Sequence, residues 1–355
     1  MTKTTGRRIL LPPEIKSDLT RREFLIGAGL IALAPGCGSD GESGEGASAN
    51  ARIIEHKYGS TEVSGRPERI VTVGLSDQDA VLALGVKPVG VTDWYGDYPD
   101  ATWPWARDEF GDELPEVVGD ATGYNFEAVA ARNPDLILGL FSGLTGQQYE
   151  TLSEIAPTIA RPSEYADFGV PWQEATRITG RTLGRSERAE EVISGIEARF
   201  AEAREEHPEF DGATAVMAAF NSPGDYTVYG PEDPRSRFLD SLGFEYPDAI
   251  AELVGAGSAA TISAERFDLL DQDVLVWLTS TPPGLIPELE ESEIYQRLDV
   301  VREGRDVFLE EDDKVLDGAL SFSTVLSLPY ALDNLVPMLA SAIDGDPDTT
   351  VESNS

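Results

Sequence analysis

Short apolar runs rich in β-branched residues alternate with short helical patterns closed by glycine or proline, and that alternation confines the chain to an α/β fold. Arg69-Ile70-Val71-Thr72-Val73 reads as a buried strand, and Ser76-Asp77-Gln78-Asp79 can cap a helix over 80–84 that stops at Gly85. Residues 86–91 read as the next strand. A second unit runs from a helix over 126–132, closed by Asn133-Pro134, into Asp135-Leu136-Ile137-Leu138-Gly139. A third follows as a helix over 147–155, then Pro157 and Thr158-Ile159-Ala160. Repeated units of this kind imply a mostly parallel sheet covered by helices.

From 172 to about 206 the strand signal stops, and Ile178, Leu183, Ala189, Val192, Ile193, Ile196 and Phe200 recur at helical spacing. The pattern breaks near Gly184-Arg185-Ser186. A helix then starts at Ser186 and ends before Pro208; about twenty residues make it roughly 30 Å long, one domain's width. Beyond it, a strand over 213–220, helices over 236–242 and 265–270, a strand over 274–278 and a mostly helical stretch over 323–343 restore the alternation. The expectation is two α/β lobes joined by a single long helix: an N-terminal lobe over 53–184, the helix over 185–207 and a C-terminal lobe over 208–345. Residues 346–355 are expected to be a disordered tail.

Cys37 is the only cysteine, so no internal disulfide can form and the core alone must hold the fold. It follows Thr20-Arg21-Arg22-Glu23-Phe24-Leu25, an apolar run over 26–34 and Pro35-Gly36. Charge, a short apolar run and small residues make a secretory signal, and the run is too short to span a bilayer. The arginine pair resembles a twin-arginine signal, and Leu33-Ala34-Pro35-Gly36-Cys37 resembles a lipobox in which Pro35 is unusual. Residues 1–36 therefore read as a signal peptide, and by that resemblance Cys37 becomes the lipidated first residue, an anchor to the cell membrane. The Gly/Ser/Glu-rich segment 37–52 reads as a flexible tether that can bury no thiol. The choice between the twin-arginine and the general export route is open.

Signal and tether removed, roughly 300 residues remain, enough for two domains; 41% apolar residues and five Trp mark that body as globular. The formal charge of −37 excludes nucleic acid as a natural partner, and self-repulsion favours a soluble monomer. A high-salt habitat and a genomic bias toward Arg account equally well for this excess with five Lys.

The sequence contains no His-Glu-x-x-His, Gly-x-Ser-x-Gly, phosphate-loop or Cys-x-x-Cys motif, so no catalytic residue and no cofactor are assigned. His56 and His207 are the only histidines and lie far apart in sequence, a poor basis for a transition-metal site. Gly255-x-Gly257-x-x-Ala260 reads as a loop, and Glu310-Glu311 and Asp312-Asp313 as solvated surface. The informative chemistry is aromatic. Ligands of α/β sheets collect at the carboxyl ends of strands, and those ends carry Trp94, Tyr95, Tyr98, Trp103, Trp105, Phe141 and Ser142 in the first lobe. In the second they carry Phe220, Asn221, Tyr226, Tyr229, Trp277 and Thr279. Such a rim suits a bulky organic ligand, with core packing the competing reading for Trp94, Tyr95 and Trp277. Arg235 and Arg237 follow Pro234 on the second rim and can pair with an anionic ligand, an ordinary ion pair being the alternative.

Arg66-Pro67-Glu68-Arg69-Ile70-Val71, Leu82-Ala83-Leu84-Gly85-Val86-Lys87-Pro88-Val89-Gly90-Val91, Asn133-Pro134-Asp135-Leu136-Ile137-Leu138 and Ile155-Ala156-Pro157-Thr158 resemble the first lobe of the periplasmic-binding proteins of ABC importers for ferric siderophores, haem and cobalamin. Gly180-Arg181-Thr182-Leu183-Gly184-Arg185 and Val300-Val301-Arg302-Glu303-Gly304-Arg305-Asp306-Val307 extend the resemblance over about 53–343. It implies two Rossmann-like lobes bridged by the long helix, ligand in the cleft between them, and little closure on binding. It also implies docking on a membrane permease through one glutamate per lobe, at the positions of Glu127 and Glu265. Acids in a helix's first turn are favoured by the dipole in any case. Few His and many Trp and Tyr favour a ferric siderophore as cargo, with cobalamin or haem as alternatives; Tyr98 sits where cobalamin binders also present a tyrosine. Rival readings are a secreted enzyme using a cation held by acidic loops, and an adhesion module without a small ligand.

Overall fold

The computed structural model describes residues 51–345 except 223, 256, 279–285 and 310–313. The signal segment, Cys37, the tether up to residue 50, Thr279, the acidic residues 310–313 and the tail over 346–355 lie outside the described residues. A hairpin that the sequence did not announce opens the body: β1 (Arg52–His56) and β2 (Gly59–Val63), antiparallel. One face of it is solvated, so Glu55 and Glu62 dilute the apolar pattern, while Ile54 and Val63 enter the core.

The first sheet follows the predicted units in order, except that the strand read over 86–91 begins only at Gly90. In chain order come β3 (Ile70–Thr72), α1 (Asp77–Ala83), β4 (Gly90–Asp93), 3-10 turns at Pro99–Ala101 and Pro104–Ala106, α2 (Arg107–Phe110), β5 (Glu116–Asp120), β6 (Gly123–Tyr124), α3 (Phe126–Ala131), β7 (Leu136–Gly139), α4 (Gly146–Ser153) and β8 (Thr158–Ala160). The strands lie in the order β6-β5-β4-β3-β7-β8 and pair in parallel except at β5–β6. A parallel sheet must be covered on both faces, and alternate residues of its strands serve two cores. Ile70, Leu136 and Leu138 pack with Val81 and Ile178, whereas Val71 and Ile137 pack with Val129 and Leu152.

Two helices leave this sheet, α5 (Trp172–Leu183) and α6 (Ser186–Glu206). Along α6, Ala189 belongs to the first sheet's core, and Ile196, Phe200 and Ala203 belong to the core beside the second sheet. The second sheet is built from β9 (Ala215–Ser222), β10 (Asp225–Tyr229), α7 (Pro234–Ser241), α8 (Asp248–Val254), β11 (Ala259–Ile262), a 3-10 helix Ala264–Leu270, β12 (Val274–Trp277), α9 (Ile286–Glu290), α10 (Asp299–Arg302), β13 (Asp306–Phe308), α11 (Lys314–Phe322) and α12 (Ser327–Ile343). Its order is β11-β10-β9-β12-β13, with β9, β12 and β13 parallel and β10 antiparallel to both neighbours. The sheet is thus mixed rather than a repeat of the first. Gly224, at φ +82°, lets the chain reverse directly after β9, so no crossover helix is needed there. All described residues lie in one compact unit, and among them no helix is long and apolar enough to cross a membrane.

Candidate functional site

The segment that leaves β4 carries five of the predicted aromatics, and they meet a helix end from the other lobe. Trp94 lies 5.0 Å from Phe322, the last residue of α11, and 5.9 Å from Phe141 at the end of β7. Trp103 stands edge-on to Phe322 at 5.3 Å, stacks on Trp105 at 4.7 Å, and touches Tyr95 and Tyr98 at 5.3 and 4.5 Å. Gly318, one turn before Phe322, makes room for that indole: a Cβ there would sit 2.1 Å from Trp103 Cζ3. Trp103, read from the sequence as part of a rim for a ligand, is only 2% exposed, because Gly318 and Phe322 receive it.

Beside the aromatics lies a polar wall. Asp233 caps α7 through the Arg235 amide at 3.0 Å, and its carboxylate takes both 2.9 and 3.1 Å bonds from Arg235 Nη1. Arg235 Nη2 donates to Ser321 Oγ at 2.8 Å, and the guanidinium lies 4.2 Å from the Tyr229 ring. Burial works against the charge of Arg235, but Asp233, Tyr229 and Asp317 outweigh it and hold the group well above its ordinary value. Burial, then Asp317, push the Tyr95 phenol upward, so it remains a neutral donor. In this wall two buried atoms have no partner among the described residues: Arg235 Nε, and Tyr95 Oη, which faces Ser321 without a hydrogen bond of normal geometry. A buried donor without a partner costs about 1–3 kcal/mol, so this wall holds hydrogen-bonding capacity, beside a cation, that the described residues do not use.

Deeper between the lobes a cavity of ≈40 Å³ is lined by Phe141, Trp172, Arg237, Phe238, Phe322 and Thr324. It has room for a few waters and none for an organic chelate. Arg237 spans the lobes, donating from α7 to Gly169 O at 2.9 Å, and pairs with Glu232. Phe168, missed in the sequence, stands 41% exposed at φ +59° with its ring 5.7 Å from Phe141, extending the aromatic row to solvent.

Other predicted site residues lie elsewhere. Trp277 is 0% exposed and donates to Tyr295 Oη at 2.9 Å, and Tyr226 stacks on buried Phe220 at 4.7 Å. Both belong to the second sheet's core on the face of Phe267; a strand's end sets where a residue lies, but the two-residue period sets its side. Ser142 is buried with its hydroxyl turned onto Gly139 O, and Asn221 is exposed and bonded to Thr227 Oγ1 at 2.9 Å. Glu127 and Glu265 are exposed in the first turns of α3 and of the 3-10 helix Ala264–Leu270. His56 serves the hairpin through Thr61 Oγ1 at 2.9 Å, and His207 pairs with Glu209. Helix α11 went unread, although Leu316, Ala319 and Leu320 recur at helical spacing and set Asp317 and Ser321 four apart on one face.

A family model described as "Periplasmic binding protein" matches residues 70–312. Among solved structures, a periplasmic solute binding protein from Mycobacterium smegmatis is 32% identical, with 82% of this chain and 99% of that one covered at a TM-score of 0.73. The iron-uptake protein PiaA of Streptococcus pneumoniae, in complex with ferrichrome, is 26% identical over 83% of this chain and 99% of its own, with a TM-score of 0.72. The probable siderophore-binding lipoprotein YfiY of Bacillus subtilis is 29% identical over 275 residues, 75% of this chain and 80% of its own.

Proposed function

The chain belongs to the periplasmic binding protein family, and on that premise we propose that it is the lipid-anchored, extracytoplasmic receptor of an ABC importer, capturing a ferric siderophore and delivering it to a membrane permease. The observation that carries the cargo class is a pair of donors without partners among the described residues, Arg235 Nε and Tyr95 Oη, set beside the ring cluster of Trp94, Trp103 and Phe322. Guanidinium and phenol suit the anionic oxygens of a wrapped ferric ion, and the rings suit its organic arms. The likeness to a ferrichrome-bound protein and to a siderophore-binding lipoprotein supports the same class. In this reading Cys37 bears the lipid, 37–52 is the tether, and α6 is the stiff bridge between lobes over 53–184 and 208–345. The ligand leaves unchanged, and the protein performs no chemistry on it.

Titrating the Trp fluorescence of the full chain with ferric hydroxamates, ferric catecholates, ferric citrate, haem and cobalamin tests this. One ferric chelate class is expected to quench saturably with a Kd of about 0.1–1 μM, and Trp94→Ala to weaken it about tenfold through lost aromatic contact. Quenching by haem or cobalamin alone would reassign the cargo. Silence from every compound at tens of micromolar would sink the receptor reading.

Glu127 and Glu265 are exposed, and among the described residues neither forms an ion pair, as suits carboxylates kept for basic pockets on a permease. Replacing both by Ala is expected to leave chelate affinity unchanged while cutting uptake by whole cells about a hundredfold, a tenfold share for each lost charge contact. Unaltered uptake would remove them from the docking surface.

A further inference from the structure

Asp79 joins the two lobes through one oxygen. The residue sits in α1 and is 1% exposed; its Oδ2 accepts from Trp105 Nε1 at 2.9 Å and from Thr324 Oγ1 at 2.5 Å. Trp105 belongs to the first lobe and carries the stacked Trp103. Thr324 belongs to the second, in the turn between α11 and α12, two residues beyond Phe322. The turn is itself fixed, since Thr324 N donates to Ser327 Oγ at 2.9 Å and Ser327 N to Thr324 Oγ1 at 3.1 Å. The aromatic contacts on both sides of the cleft are thus referred to a single carboxyl group.

We propose that Asp79 is a proton-linked pin: its carboxyl group locks the first lobe against the second, and the locked arrangement binds a proton that the parted arrangement releases. The proposal holds whatever the cleft carries.

Among the described residues nothing gives the carboxylate a compensating cation. Asp77, on the same helix, is turned to the Leu140 and Phe141 amides at 2.7 and 2.9 Å. On the neighbouring α2, Arg107, Asp108 and Glu109 are exposed. On α5, Glu174 pairs with Arg181 and Arg177 with Glu190. From the second lobe, Asp317 faces Tyr95 and Arg235, Asp333 pairs with Arg199, Tyr330 is half-buried, and Arg237 is held by Gly169 and Glu232. Burial therefore prevails over the two neutral donors and raises the Asp79 carboxyl from 3.8 to about 6. When the lobes part, water reaches the group and its affinity for the proton falls. A carboxyl whose value is raised in the locked form gives that form added stability as pH falls through 6, and removes it as pH rises. Because both bonds end on Oδ2, an asparagine oxygen can accept both of them without any charge.

The test uses the full chain with Asp79→Asn and Asp79→Ala. In the wild type the Trp105 indole N–H resonance, assigned with Trp105→Phe, should titrate with a midpoint near 6, and in Asp79→Asn it should not move. Asp79→Asn should melt above the wild type at about pH 7.5, with the gap closing by about pH 5.5. Spin labels at Glu127→Cys and Glu265→Cys, with Cys37→Ser, report the lobes directly: Asp79→Ala should broaden the label distance and Asp79→Asn should keep it narrow. An indole that ignores pH, or a melting gap that does not change with pH, overturns the proton linkage. An Asp79→Ala chain with the wild-type distance overturns the pin; if that variant does not fold, the resonance and the Asp79→Asn melts still decide.

Discussion

Arg235→Ala is expected to destabilise the protein by about 3–5 kcal/mol in urea melts, among the largest losses a single cleft substitution can give. The guanidinium is nearly enclosed between Asp233, Ser321 and the Tyr229 ring, and Asp233 is 7% exposed. Removing the cation leaves that carboxylate buried and alone, and burying an unpaired charge costs far more than the pair itself contributes. Adding Asp233→Asn should therefore restore most of the stability. The double variant should still bind a ferric chelate at least tenfold more weakly, because the donor with the unused N–H is gone. A loss under about 1 kcal/mol for the single variant would mean that water reaches Asp233. A double variant with native affinity would remove Arg235 from the ligand's wall.

Trp277→Ala is expected to show the opposite division, a stability loss of about 3–5 kcal/mol with chelate affinity unchanged in the protein that remains folded. The indole is sealed in the second core, and its N–H anchors a chain that continues from Tyr295 Oη to Asp306 at 2.5 Å. Truncation opens a large hole and leaves the Tyr295 hydroxyl short of a donor. Paired urea melts and fluorescence titrations, with Trp94→Ala as the contrasting variant, separate core from cleft. A tenfold loss of affinity in folded Trp277→Ala would show that the two are coupled.

Much of the first sheet was legible because glycine and proline punctuate it. Asn133-Pro134 ends α3 where expected, and the strand Thr158–Ala160 appears as read. The β10 hairpin was readable too, since buried Tyr226 and Val228 alternate with less buried Asp225, Thr227 and Tyr229, but those tyrosines suggested a rim first. Strand ends located the aromatics, and Trp94, Tyr95 and Phe141 do meet around Phe322. Which face Trp277 takes was not legible, since the apolar run Val274–Trp277, buried on both sides, has no polar alternation to orient it. Nor was the contact of Asp79 with Thr324, separated by 245 residues, because nothing local in either segment records the other.

Gly318 sets α11 at odds with its own sequence. A glycine within a helix forfeits roughly 1 kcal/mol against alanine, and here the added methyl would strike the Trp103 ring. The helix is kept locally weaker so that a ring from the other lobe can lie in its groove. Local propensity and tertiary fit therefore point in opposite directions at this one position, and a search for sturdier sequences that scored each helix alone would choose alanine there and evict the indole.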